Sequence, residues 1–150
     1  MNNNNLKDSN EIDSLLELSK LIRELISQKE YDEINIMINY TLNNCYYEAF
    51  SWILLLLQET FESSDSTLAD FSCKLGNKID NFDEFLRWLG VKLIATENNV
   101  EYAYESSGEV SSVYNIQTYK TKYKNVDLVS IENFDTKDND FIEYKLFFHK

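Results

Sequence analysis

Up to residue 90 the apolar positions recur every third or fourth residue, and beyond it they recur every second residue. The first period belongs to helices that bury one stripe, the second to strands that bury one face. Ile12, Leu15, Leu16, Leu18, Leu21, Ile22, Leu25 and Ile26 form a broad stripe and predict a first helix over 11–26. Ser27 and Glu30 have the spacing of a capping box, which predicts a second helix starting there. Its inner face is Ile34, Met37, Ile38 and Thr41, and Asn43 and Asn44 mark its stop. A third helix carries Tyr46, Ala49, Phe50, Ile53, Leu54, Leu57 and Phe61 on one face. Trp52, Leu55 and Leu56 make it apolar almost all round, the signature of a central helix. Leu68, Phe71 and Leu75 then predict a short helix stopped by Gly76. Phe82, Phe85, Leu86 and Leu89 predict another, stopped by Gly90.

After Gly90 the chain reads as strands. Val91 to Thr96 is the first, with Asn98 and Asn99 as a turn pair. Val100, Tyr102 and Tyr104 alternate with Glu101, Ala103 and Glu105, giving one apolar and one acidic face. A second turn at Ser106 to Glu109 leads into strands over 110–122 and 126–131. A polar loop over 132–139 and a last strand over 141–148 complete the chain. Helices followed by strands imply an α+β fold, with an N-terminal layer of about four to five helices packed on an antiparallel β-meander of about five strands. The expected organisation is a disordered tail over 1–9 and a single domain over 10–150, helical to residue 90 and sheet from 91.

Charge changes this picture. The chain has 26 acidic and 14 basic side chains, a net charge of −12. Such a balance disfavours direct binding to nucleic acid or to an anionic membrane, because phosphate contact depends on Lys and Arg. It favours a basic protein partner, or serves solubility alone. The longest apolar run, Trp52 to Leu57, is far short of the roughly 20 residues of a membrane span. The start carries neither a basic segment nor an apolar stretch of the secretory kind, so a cytoplasmic protein is expected. Cys45 and Cys73 fall in helical patterns without a CxxC pair and read as free, buried thiols. The Asn-, Ile-, Lys- and Tyr-rich composition fits a low-GC bacterium or a mobile element.

Candidate chemistry is sparse. His149 is the single histidine and lies one residue from the end, where chains fray; zinc would have to be held by carboxylates, so no metal is expected. Asp135, Asp138 and Asp140 supply hard oxygens but lack the glycine and spacing of a calcium loop. No glycine-rich loop suggests a nucleotide, no cofactor is implied, and no acid–base pair stands out, so an enzyme is not expected.

What remains is a surface. Glu97, Glu101, Glu105 and Glu109 recur every fourth residue beside Tyr102 and Tyr104, and Tyr119 and Tyr123 follow. Tyrosine suits contact surfaces because it combines large area with a hydrogen-bonding tip. Lys120, Lys122 and Lys124 share parity and are candidates to pair with these glutamates across the sheet, or to guard a sheet edge. The six residues Glu97, Glu101, Glu105, Glu109, Tyr119 and Tyr123 are the candidate partner-binding set. The leading expectation is a small inhibitor of the immunity type, whose carboxylates occupy the basic cleft of a toxin such as a nuclease. The alternatives are a phage-encoded nucleic-acid mimic that blocks a host defence complex, and a non-catalytic adaptor that docks through its helices.

Overall fold

In the computed structural model the described residues are 3–63, 68–76, 79–91, 97–133 and 142–150. The chain is α+β and divides into two compact units, Met1–Leu68 and Ala69–Lys150. The division falls well before residue 90, because the segment after Leu68 belongs with the sheet.

The first unit is three helices: α1 (Asn3–Ser27), α2 (Tyr31–Asn43) and α3 (Tyr47–Glu62). Helix α1 is already formed at Asn3, where a frayed tail is expected from the asparagine run. Once a turn is nucleated, each added residue gains a hydrogen bond, and the strong stripe downstream propagates the helix backwards. Each helix packs on the other two. Ile22, Ile34, Ile38, Phe50, Ile53, Leu54 and Leu57 are fully buried, which is the predicted stripe pattern. Helix α3 is less central than its sequence implies, since Leu55 is exposed. Trp52 Nε1 donates to Ser19 Oγ at 2.7 Å, and that hydroxyl donates in turn to the Leu15 carbonyl at 2.9 Å.

The capping box expected at Ser27 does not form. Ser27 ends α1 and donates to the Glu24 carbonyl, while Glu30 precedes α2 without a side-chain cap. The chain turns instead through left-handed Lys29 (φ 58), with Lys29 N–H donating to Ile26 O and Glu30 N–H to Leu25 O. This is a Schellman closure. The next corner repeats it at Cys45 (φ 55), with Tyr46 N–H donating to Thr41 O at 2.8 Å. Cys45 is therefore in a turn and exposed, not buried in a helix; Cys73 is buried, and neither is in a disulfide.

The second unit contains β1 (Phe71–Gly76), α4 (Phe82–Leu89), β2 (Glu97–Tyr104), β3 (Val110–Lys120), β4 (Val126–Asn133) and β5 (Ile142–Phe148). The strands form one antiparallel sheet in the order β1-β5-β4-β3-β2. Strands β2 to β5 follow one another as a meander, but β1 returns to pair with β5, so the order is not a strict meander. β1 replaces the short helix expected before Gly76. Leu68, Phe71 and Leu75 fit a helical period, yet Phe71, Cys73 and Leu75 also alternate, and a six-residue segment is too short for the sequence to decide. Pairing decides it: Phe71 stacks on Phe148 with ring centroids 4.7 Å apart, and Cys73 lies opposite Leu146. Asn98 and Asn99 are not a turn but lie inside β2, opposite Gln117 and Ile116. The strand expected over 91–96 and the polar loop with Asp135, Asp138 and Asp140 fall almost wholly outside the described residues.

Helix α4 lies over the part of the sheet face that carries Leu128 and Tyr144. Phe85 and Leu89 are buried, and the Phe82 ring meets that of Tyr144 at 5.0 Å. The helix ends at Gly90 (φ +66). A Cβ there would lie 2.8 Å from Lys122 Cβ, because Lys122 N–H donates to the Leu89 carbonyl at 2.8 Å. Only glycine allows that approach.

Candidate interaction surface on the β2–β3 hairpin

Burial fades across the sheet. β4 is buried from Val126 to Ser130, β3 is half-buried along most of its length, and β2, at the sheet edge, is exposed from Asn98 to Tyr102 and at Tyr104. By register, Val100 and Tyr102 continue the face that holds Tyr119 and Leu128 further in. Their alternation is the one read from the sequence, but no core covers them. Val100 is 50% exposed, Tyr102 54%, Tyr104 65% and Val110 51%. Glu101 is exposed on the opposite face, across from Tyr114.

The hairpin closes at Glu105 to Glu109. Glu105 N–H donates to the Glu109 carbonyl at 2.8 Å, and Gly108 N–H to the Glu105 carbonyl at 2.9 Å. Gly108 (φ +89) has no neighbour in the space a Cβ would fill, so its role is conformational, supplying the left-handed residue of the turn. Both glutamates are exposed, and closure of the loop sets their backbones side by side. Glu97 opens β2, opposite Thr118. Between Leu93 and Tyr119 the chain has four Glu and neither Lys nor Arg.

The two remaining candidates lie elsewhere. Tyr119 is half-buried and donates to Gln117 Oε1 at 2.7 Å, facing a cleft beneath α4. Tyr123 is 2% exposed in the β3–β4 turn, which removes it from a contact surface. Two of the three lysines meet groups outside the hairpin. Lys120 reaches Asp127 on the other neighbouring strand, at 3.3 Å. Lys122 lies over the rings of Trp88 and Tyr123, 5.9 and 5.3 Å from their centroids. The register explains this: the strand residue facing Glu101 is Tyr114, and the lysines come only as β3 ends.

The cleft beneath α4 holds about 110 Å³, with Phe82, Leu86 and Leu128 as apolar walls and Gln117, Ser130 and Tyr144 as polar groups. Burial, with the Tyr119 hydroxyl and Glu132 nearby, raises the Tyr144 pKa above its ordinary value, so this phenol stays neutral. Pockets for small molecules are typically about 300–1,000 Å³, so this cleft suits one side chain.

One arrangement is invisible in the sequence. Asp127 is 6% exposed, and its Oδ2 lies 2.9 Å from His149 Nε2, while Lys120 Nζ stands 3.3 Å from Oδ1. His149 is held further by its N–H, which donates to the Asn125 carbonyl at 3.0 Å, and by stacking on Phe147. It is anchored, not frayed. The signal would have been the alternation of β5 running on to residue 149. Among the described residues no three His, Cys, Asp or Glu side chains are grouped to hold a metal ion. No helix among them is long and apolar enough to cross a membrane.

No protein-family model matches the chain, and neither a curated protein nor a solved structure matches it.

Proposed function

We propose that the protein is a small acidic binding protein of the immunity type, an intracellular inhibitor that neutralises a basic protein such as a nuclease toxin. The β2–β3 hairpin presents the contact surface. The observation that carries the reading is the exposure of Val100, Tyr102, Tyr104 and Val110 within a stretch whose only charges are four glutamates. Apolar and tyrosine area supplies affinity, whereas carboxylates steer a basic partner and raise the association rate. Glutamates at the hairpin tip stand where the phosphates of a nuclease substrate would meet the enzyme's cationic cleft.

The test is capture from the source organism on the immobilised full chain, at low and high salt, with identification of the retained protein. A basic protein that is retained at low salt, released by salt and lost with Glu101→Lys/Glu105→Lys supports the reading. Retention of the same protein by that variant, or at every salt concentration, overturns it.

A second reading rests on the helical unit. Ile36 and Tyr40 are one turn apart on α2 and more than half exposed, and Tyr46 meets Tyr40 edge-on with ring centroids 6.0 Å apart. An adaptor docking through this apolar stripe would be insensitive to salt and would lose its partner with Ile36→Lys.

A further inference from the structure

The two edges of the sheet are built differently. β1 has six residues, a register irregularity between Lys74 and Gly76, and an exposed lysine, Lys74, that reaches Glu143 at 3.3 Å. Shortness, irregularity and lysine are the devices that keep an edge from pairing with another chain. β2 has eight residues, keeps regular register from Glu97 to Ala103, and contains no Lys, Arg or Pro. Among the described residues no strand lies beyond it. Its side chains are sorted as well: Val100, Tyr102 and Tyr104 stand exposed on one face and Glu101 on the other.

We infer that the outer edge of β2 accepts an extended segment of the partner as an added strand, and that this segment alternates apolar and basic residues. The inference rests on the proposed binding function and specifies how that surface is engaged. In strand addition the main chain gives affinity and alternate side chains give specificity. An added residue lies about 4.5–5.5 Å from its β2 neighbour on the same face. Residues beside Val100, Tyr102 and Tyr104 must therefore be apolar, and those beside Glu101 must be Lys or Arg. A second copy of this chain fits poorly. Two β2 strands paired about an axis normal to the sheet would continue the same faces, placing carboxylates beside carboxylates, and like charges directly opposite are destabilising.

The probe is an alternating lysine–valine peptide of the length of β2. Its controls are the block isomer with all lysines first, and the alternating peptide N-methylated at every other backbone nitrogen. Each is titrated into the isotopically labelled full chain, reading amide shifts and hydrogen exchange. The alternating peptide is expected to slow exchange of the β2 amides. The block isomer should bind about tenfold more weakly, a difference near 1.4 kcal/mol, and the N-methylated peptide should not bind. Equal binding of all three, or protection at β1 instead of β2, overturns the inference. The variant Glu101→Lys/Glu105→Lys separates this failure from failure of the functional reading. If the block isomer matches the alternating peptide on the wild type and both are lost on the variant, strand addition is wrong and the acidic surface stands. If the alternating peptide binds wild type and variant equally, the basic half of the inferred segment is overturned together with charge recognition, and only main-chain pairing at β2 stands.

Discussion

The two ends of the sheet share one strand pattern and put it to opposite uses. Where β1, β5 and β4 meet, the alternating apolar residues Cys73, Leu146, Phe148 and Leu128 are buried. Where β2 and β3 meet, the same alternation leaves Val100, Tyr102 and Tyr104 half or more exposed. An apolar face is thus not by itself a core; a cover makes it one, and α4 reaches only part of this sheet. One end is packed, and the other leaves apolar and tyrosine area in contact with solvent.

The contrast breaks or sharpens under substitution. Phe148→Ala removes a buried ring stacked on Phe71 and should cost about 3–5 kcal/mol in denaturant unfolding followed by circular dichroism. A loss below about 1 kcal/mol would mean that the buried end is not the anchor. The pH dependence of stability offers a second measure. Burial pushes the Cys73 thiol from 9.0 up to about 12. The folded state therefore keeps a proton that the unfolded state releases, so this contribution is complete below pH 9 and is lost as pH rises towards 12. Stability should fall by up to about 1.4 kcal/mol per pH unit in that window, and the decline should flatten in Cys73→Ala.

Smaller effects follow. His149→Ala strips the near-buried Asp127 carboxylate of one partner and leaves Lys120, for an expected loss of about 1–2 kcal/mol in the same unfolding assay. Tyr102→Ala should change stability by no more than about 0.5 kcal/mol while weakening capture of the partner. A large stability loss there would place the hairpin within the core and end the contrast.

How much of this is legible in the sequence depends on what each feature rests on. Helices α2, α3 and α4 follow from stripes two turns or longer, β3 from a run rich in β-branched and aromatic residues, and β5 from sustained alternation. β1 is too short for its period to be unique, and Asn98 and Asn99 read as a turn because asparagine is common in turns and also tolerated on an exposed edge. The two faces of β2 are legible, since Glu101 alternates with Val100 and Tyr102 whatever the strand order. Their exposure is not, because it depends on β2 being the last strand of the sheet. Tyr123 and His149 fail for the same reason in reverse: local sequence marks a turn and a chain end, and packing buries the one and anchors the other.

The helical unit holds Trp52, tied to Ser19, and the sheet unit holds Trp88, tied to Glu84 at 3.1 Å. These are the chain's two tryptophans. Each unit thus carries its own native fluorophore, and the variants Trp52→Phe and Trp88→Phe each silence one. Emission followed through a denaturant titration of the two variants gives a separate melting record for each half, and coincident midpoints would reveal that the halves unfold as one cooperative body.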